Sequence, residues 1–128
     1  MKTLTENPRV FVADDNELIL KMLDRLLSLE FEIVGQAADG PSAVDAVLDA
    51  DPDVVVLDYM MPGGDGIETA RSIRALRPDQ AIVLYTAFLD GDVEGRARDA
   101  GISQCVEKVE GPLALERAIR RVSGSDLF

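Results

Sequence analysis

Short apolar runs alternate with stretches whose apolar residues recur every three or four positions, and this alternation continues along the whole chain. Val10-Phe11-Val12-Ala13 reads as a buried strand; after it Ile19, Met22, Leu23, Leu26 and Leu27 share one face of a helix. Asn16 or Asp15 is placed to cap that helix. A second strand runs through Phe31, Ile33 and Val34 towards Asp39-Gly40, and Pro41 can then start a helix bearing Val44, Val47 and Leu48 that ends at Asp51-Pro52-Asp53. Val54 to Leu57 is apolar at every position, as in a strand covered on both faces, and is the expected centre of a sheet. The segment from Tyr59 to Gly66 is dense in chain breakers and forces a turn before a helix carrying Ile67, Ala70 and Ile73, which Arg77-Pro78-Asp79 stops. Ala81 to Tyr85 is a fourth strand. Val93, Ala97 and Ala100 around Gly95 predict a poor helix, since a helical glycine costs about 1 kcal/mol relative to alanine. Gln104 to Val106 is a short fifth strand, and Leu115, Ala118, Ile119 and Val122 line a last helix.

Strands alternating with helices predict an α/β fold, a doubly wound parallel sheet with helices on both faces. The 128 residues, 47% of them apolar, suit one domain, and no internal repeat or linker interrupts them. A lone Cys105 cannot close an intrachain disulfide, and no charged segment followed by an apolar one occurs near Met1, so an intracellular setting is expected. No apolar run approaches the length of a membrane span. The net charge of −11 argues against a nucleic-acid surface, which needs clustered Lys and Arg. The absence of histidine removes Ser-His-Asp catalysis, His-containing zinc sites and any role as a phosphohistidine carrier.

The residues with chemistry to offer stand at strand ends. Asp14 and Asp15 follow the first strand, Asp58 the third, Thr86 the fourth and Lys108 the fifth. Ligands of open parallel sheets bind in the crevice at that rim. Three converging carboxylates repel unless a cation lies among them, and an oxygen-only set suits Mg²⁺ or Mn²⁺. Each residue also has a plainer use. An acid pair can cap a helix or answer its dipole, Asp58 can be a solvated strand end, Met61-Pro62-Gly63-Gly64 a turn, Thr86 a cap and Lys108 a solvent-facing charge. All five occurring in this order point to metal-assisted phosphate chemistry.

The set resembles the response-regulator receiver domain over roughly residues 9 to 122. The resemblance rests on the acid pair, on Asp58-x-x-Met61-Pro62-x-x-Asp65-Gly66, on Thr86-Ala87 and on Lys108. It implies a flavodoxin-like and CheY-like (βα)5 fold, a five-stranded sheet in the order 2-1-3-4-5, with residues 1–128 forming a single receiver with short tails. It implies that Asp58 accepts a phosphoryl group from a histidine kinase or phosphotransfer protein. Mg²⁺ would be held by Asp15 directly, by Asp14 through a bound water, by Asp58 and by the Met60 main-chain carbonyl. Lys108, the Thr86 hydroxyl and the Ala87 N–H would take phosphoryl oxygens. The protein is then expected to be a cytoplasmic signalling module, not an enzyme, that switches a partner-binding surface.

Two departures from the family pattern stand out. Cys105 occupies the position where many receivers carry a switch aromatic, and Val109 follows the lysine where many have a cis-proline. A trans Lys108-Val109 bond is expected, because a cis non-proline bond costs about 2.5–4 kcal/mol. Pro112, with the Asp14-Asp15-Asn16 and Asp39-Gly40 contexts, resembles the NarL/LuxR-type receivers that precede a helix-turn-helix domain. Met60 and Phe88, two positions after Asp58 and Thr86, flank the path of the hydrolytic water in receivers and are apolar here, which predicts slow loss of an acyl phosphate. Two other functions compete. A metal-dependent phosphohydrolase of the haloacid-dehalogenase type wants an Asp at the position of Met60, which has no proton to exchange. A degenerate receiver would act only as a binding module. Arg117, Arg120 and Arg121 read as a solvated or subunit-facing surface, which leaves a homodimer open.

Overall fold

A computed structural model describes residues 7–124. Five parallel strands, β1 (Arg9–Ala13), β2 (Glu32–Ala37), β3 (Val54–Leu57), β4 (Ala81–Thr86) and β5 (Gln104–Glu107), form one sheet in the order β2-β1-β3-β4-β5. Five helices connect them or close the chain: α1 (Glu17–Leu27), α2 (Gly40–Ala50), α3 (Gly66–Leu76), α4 (Gly91–Asp99) and α5 (Pro112–Ser123). A single 3₁₀ turn, Lys108–Glu110, separates β5 from α5. The α/β class and the strand order are those expected, and β3 is the central strand. The order reverses between β1 and β3, so the crevice at their carboxyl ends is the place where such a sheet binds ligands.

Alternate strand residues face opposite sides, and each side has its own apolar layer. Phe11, Val55, Leu57, Ile82 and Leu84 pack with Ala43 and Val47 of α2, Ile67, Ala70 and Ile73 of α3, and Val93 and Ala97 of α4. Val10, Val12, Val54, Val56, Val83 and Tyr85 pack on the other side with Leu20, Leu23 and Leu27 of α1 and Leu115, Ala118 and Ile119 of α5. Burying each large aliphatic side chain contributes about 1.5–3 kcal/mol, so these two layers set the stability of the sheet.

Several local expectations are corrected. Helix α1 buries Leu20, Leu23 and Leu27, whereas Leu26 remains exposed. The rows 19-22-26 and 20-23-27 have the same spacing, and only the position of the sheet selects between them. Helix α2 begins at Gly40, where the Asp39 side chain accepts from Ser42 N–H at 2.8 Å, and it buries Ala43 and Val47 while Val44 and Leu48 are only half-buried. Asn16, not Asp15, caps α1, accepting from Leu18 N–H at 2.9 Å and Ile19 N–H at 3.3 Å. Helix α4 is well formed despite Gly95. Asp90 caps it by accepting from Val93 N–H at 2.8 Å. Asp92 and Glu94 in its first turn and Arg96 and Arg98 in its last oppose the helix dipole. Strands β4 and β5 each run one residue beyond the expected end, and Lys108–Val109 is trans, as are all described peptide bonds. Of the expected tails flanking residues 9 to 122, residues 1–6 and 125–128 lie outside the described residues, and Ser123 still belongs to α5.

Candidate phosphoryl and metal site

The backbone ladder continues one residue past β1 and β3 and thereby aims the acids. Asp14 N–H donates to the Ala37 carbonyl at 3.1 Å and Asp58 N–H donates to the Ala13 carbonyl at 3.0 Å, which sets both carboxylates at the same rim of the sheet. Asp14 is 2% and Asp58 6% exposed, while Asp15 is open to solvent. One carboxylate oxygen from each of the three residues lies within 4.8 Å of the others.

Lys108, the first residue after β5, reaches across the rim. Its Nζ lies 2.6 Å from Asp14 Oδ2 and 3.0 Å from Asp58 Oδ2. The remaining oxygens are occupied too: Asp14 Oδ1 accepts from Asn16 N–H at 2.9 Å and Asp58 Oδ1 from Met60 N–H at 3.4 Å. Burial raises the Asp14 carboxyl above the usual range, outweighing the hydrogen bonds from Lys108 and Asn16 that oppose it. Burial works to lower Lys108, but hydrogen bonds to Asp14 and Asp58 hold its ammonium above its ordinary range.

Thr86 closes β4, is buried, and its Oγ1 accepts from Phe88 N–H at 3.4 Å; β5 sets Glu107, the neighbour of Lys108, beside it. Ala87 and Met60 are exposed on the loops that leave β4 and β3. The fold thus brings Asp14, Asp15, Asp58 and Lys108 into one cluster and sets Thr86, Ala87 and Met60 on the adjoining strand end and loops. Cys105 is half-buried in β5, where burial and then the charge of Glu94 raise its thiol.

The donor set fits a hard divalent cation. Asp14, Asp15 and Asp58 carry three negative charges and Lys108 one positive, leaving two negative charges that Mg²⁺ or Mn²⁺ would balance. All donors are oxygen, which disfavours softer metals.

Two residues at this rim have no signature in sequence spacing. Tyr59 and Arg96 lie 37 positions apart, yet Arg96 Nη1 donates to the Tyr59 hydroxyl at 3.0 Å. The apolar-polar pattern of α4 marks Arg96 only as a charge on a helix.

The fold and this cluster define a doubly wound α/β module with an acidic group at the switch point of its sheet. The profile of the response regulator receiver domain matches residues 10–120, and the chain belongs to that family. It is 45% identical over 94 residues to the transcriptional regulatory protein PdtaR of Mycobacterium tuberculosis, covering 73% of this chain and 45% of that protein. It is 32% identical over 117 residues to the transcriptional regulatory protein LiaR of Bacillus subtilis, covering 90% of this chain and 56% of the relative. The chain spans about half the length of these curated relatives. Among solved structures, the receiver domain of the response regulator NarL from Mycobacterium tuberculosis aligns with a TM-score of 0.87 and 30% identity, covering 93% of this chain and 98% of that one. A LuxR-family response regulator from Aurantimonas aligns with a TM-score of 0.89 and 29% identity, covering 93% and 86%. These relatives are named as response regulators and transcriptional regulators, and they agree with the NarL/LuxR-type resemblance. Among the described residues no helix is long and apolar enough to cross a membrane.

Proposed function

We propose that residues 1–128 act as one phosphorylatable receiver in which Asp58 takes a phosphoryl group from a histidine kinase or phosphotransfer protein. The observation that carries this reading is the ammonium of Lys108 set between Asp14 and Asp58 at the switch point of the sheet. Asp58 is the acceptor because it stands at the end of the central strand and is nearly buried, with Met60 N–H and Lys108 already directed at its two oxygens. An Asp58 oxygen forms the bond to phosphorus as the bond from phosphorus to the donor imidazole breaks, and the imidazole, its other ring nitrogen already protonated from solvent, leaves as the neutral ring. Mg²⁺ held by Asp14, Asp15, Asp58 and the Met60 carbonyl would supply positive charge that cancels repulsion between Asp58 and the incoming anion. Lys108 takes one phosphoryl oxygen as a point charge, and the Thr86 hydroxyl and Ala87 N–H receive the others.

The phosphorylated state then switches a partner-binding surface, in the cytoplasm and without direct contact to nucleic acid by this strongly acidic chain. On α5, Arg117 and Arg121 are exposed while Arg120 pairs with Glu30 at 2.7 Å within the chain, and a homodimer through the exposed pair belongs to the same reading. Intact mass after incubation with Mg²⁺ and a small phosphodonor tests it. One phosphate should be added to the wild type and none to Asp58→Asn. Phosphate retained by Asp58→Asn, or steady turnover of a generic phosphoester, sinks the reading.

A further inference from the structure

The loop from Tyr59 to Asp65 leaves β3 directly after Asp58 and enters α3. Its neck is closed by Gly66 N–H donating to the Tyr59 carbonyl at 2.8 Å. Within it lies Met60, whose N–H reaches Asp58 and whose carbonyl belongs to the proposed metal site. One side chain from another helix touches both ends of this loop. Arg96 Nη1 donates to the Tyr59 hydroxyl at 3.0 Å and Nη2 lies 3.5 Å from Asp65 Oδ2, with the guanidinium carbon 5.9 Å from the centre of the Tyr59 ring. Asp65 serves two partners at once, since its Oδ1 caps α3 by accepting from Glu68 N–H at 2.8 Å.

We infer that Arg96 is a positioning residue for the phosphorylation loop, holding its two ends against α4 through Tyr59 and Asp65. An arginine in the last turn of a helix can also serve only the helix dipole, and Arg98 in the same turn is free to do so. Arg96 instead crosses to residues 37 and 31 positions earlier in the chain. Its side chain is 41% exposed, so the contacts matter through geometry rather than through the strength of one ion pair. A planar guanidinium offers the phenol and the carboxylate donors fixed in one rigid fork, whereas an ammonium is a compact charge on a flexible stem and would hold the pair less firmly. Because Arg96 sits on α4, any shift of α4 is felt by the loop beside Asp58, and any change at Asp58 is felt by α4 to the same degree.

The inference rests on the metal reading above, and two measurements separate their failures. The first is amide hydrogen exchange of the metal-free protein. Arg96→Ala should speed exchange at Gly66 about tenfold while leaving Val55 and Val56 of β3 unchanged. The second is Mg²⁺ titration by calorimetry, where Arg96→Ala should weaken binding about three- to tenfold. Tyr59→Phe, which removes one acceptor and keeps the ring, should fall between wild type and Arg96→Ala in both, and Arg96→Lys should recover part of the loss. No saturable Mg²⁺ binding by the wild type overturns the metal reading and, with it, a role for Arg96 in metal binding. Saturable wild-type binding with unchanged Mg²⁺ affinity in Arg96→Ala and Tyr59→Phe overturns the inference alone. Faster exchange spread evenly over β3 and α3 also overturns it, because it shows general loss of stability.

Discussion

Lys108 Nζ lies nearer to Asp14 Oδ2, at 2.6 Å, than to Asp58 Oδ2, at 3.0 Å, so the ammonium is held chiefly by the acid that is not the proposed phosphoryl acceptor. Sequence reasoning sets Lys108 against the phosphoryl group alone. In the structure it is also the cation that keeps two nearly buried carboxylates from repelling one another.

Lys108→Ala is therefore expected to destabilise the protein by about 2–3 kcal/mol, somewhat below the range for a fully buried pair because the lysine side chain is 19% exposed. Mg²⁺ should bind this variant more tightly than the wild type, since Lys108 competes for oxygens of Asp14 and Asp58. Thermal melts with and without Mg²⁺ check both points. A smaller Mg²⁺-dependent rise in Tm for the variant than for the wild type counts against the competition.

The pH dependence on the alkaline side has a definite sign. The hydrogen bonds of Asp14 and Asp58 hold Lys108 above its ordinary value of 10.5 in spite of burial, and burial holds the Tyr85 phenol above its ordinary 10.0. Both groups bind protons more tightly in the folded chain than in the unfolded one. Their contribution is complete below those ordinary values and is lost as pH rises through the folded ones. Denaturant unfolding between pH 8 and 12 should show stability falling above about pH 10, with a shallower slope in Lys108→Met. Equal slopes in the two proteins reject this assignment.

Gly66 begins α3 with its backbone against the chain at Asp58. A Cβ added there would press into the Asp58 carbonyl oxygen and stand 3.1 Å from Tyr59 Cα, with backbone on both sides and no flexible side chain to yield. Gly66→Ala should cost about 2–4 kcal/mol by displacing the segment that carries Asp58. Gly95→Ala, which would meet nothing closer than the Arg98 guanidinium at 3.9 Å, should instead stabilise α4 by about 0.5–1 kcal/mol. Chemical denaturation of the two variants gives opposite signs if the packing is as described.

Met60 and Phe88 are 62% and 56% exposed, so both can be replaced at little cost in stability. Neither can orient a water by hydrogen bonding. The pair Met60→Asn with Phe88→Glu should shorten the lifetime of the phosphorylated protein and leave Mg²⁺ affinity unchanged. Decay of the acyl phosphate at saturating Mg²⁺ decides it, and an equal or longer lifetime in the double variant rejects shielding by the two apolar side chains.

The sequence by itself determined the order and type of the elements and the strand ends on which Asp14, Asp15, Asp58, Thr86 and Lys108 stand. The reason is that burial on both faces leaves a plain mark, an unbroken run such as Val54 to Leu57, and the polar residue after such a run is the end of a strand. The start of α1 was legible to within one residue, since Asp15 and Asn16 can both supply the missing hydrogen bond and the structure assigns it to Asn16. The tertiary structure alone decided which of two equally spaced stripes on α1 faces the sheet. It also decided that Asp14 is buried while its neighbour Asp15 is exposed, so that desolvation strain falls on Asp14 rather than on the pair. Helix α4 forms although Gly95 argues against it, because the cap from Asp90 and the burial of Val93 and Ala97 outweigh a local propensity of about 1 kcal/mol. The link from Arg96 to Tyr59 and Asp65 has no periodicity to reveal it, since it joins residues on different elements through the packing of α4 beside the β3–α3 loop.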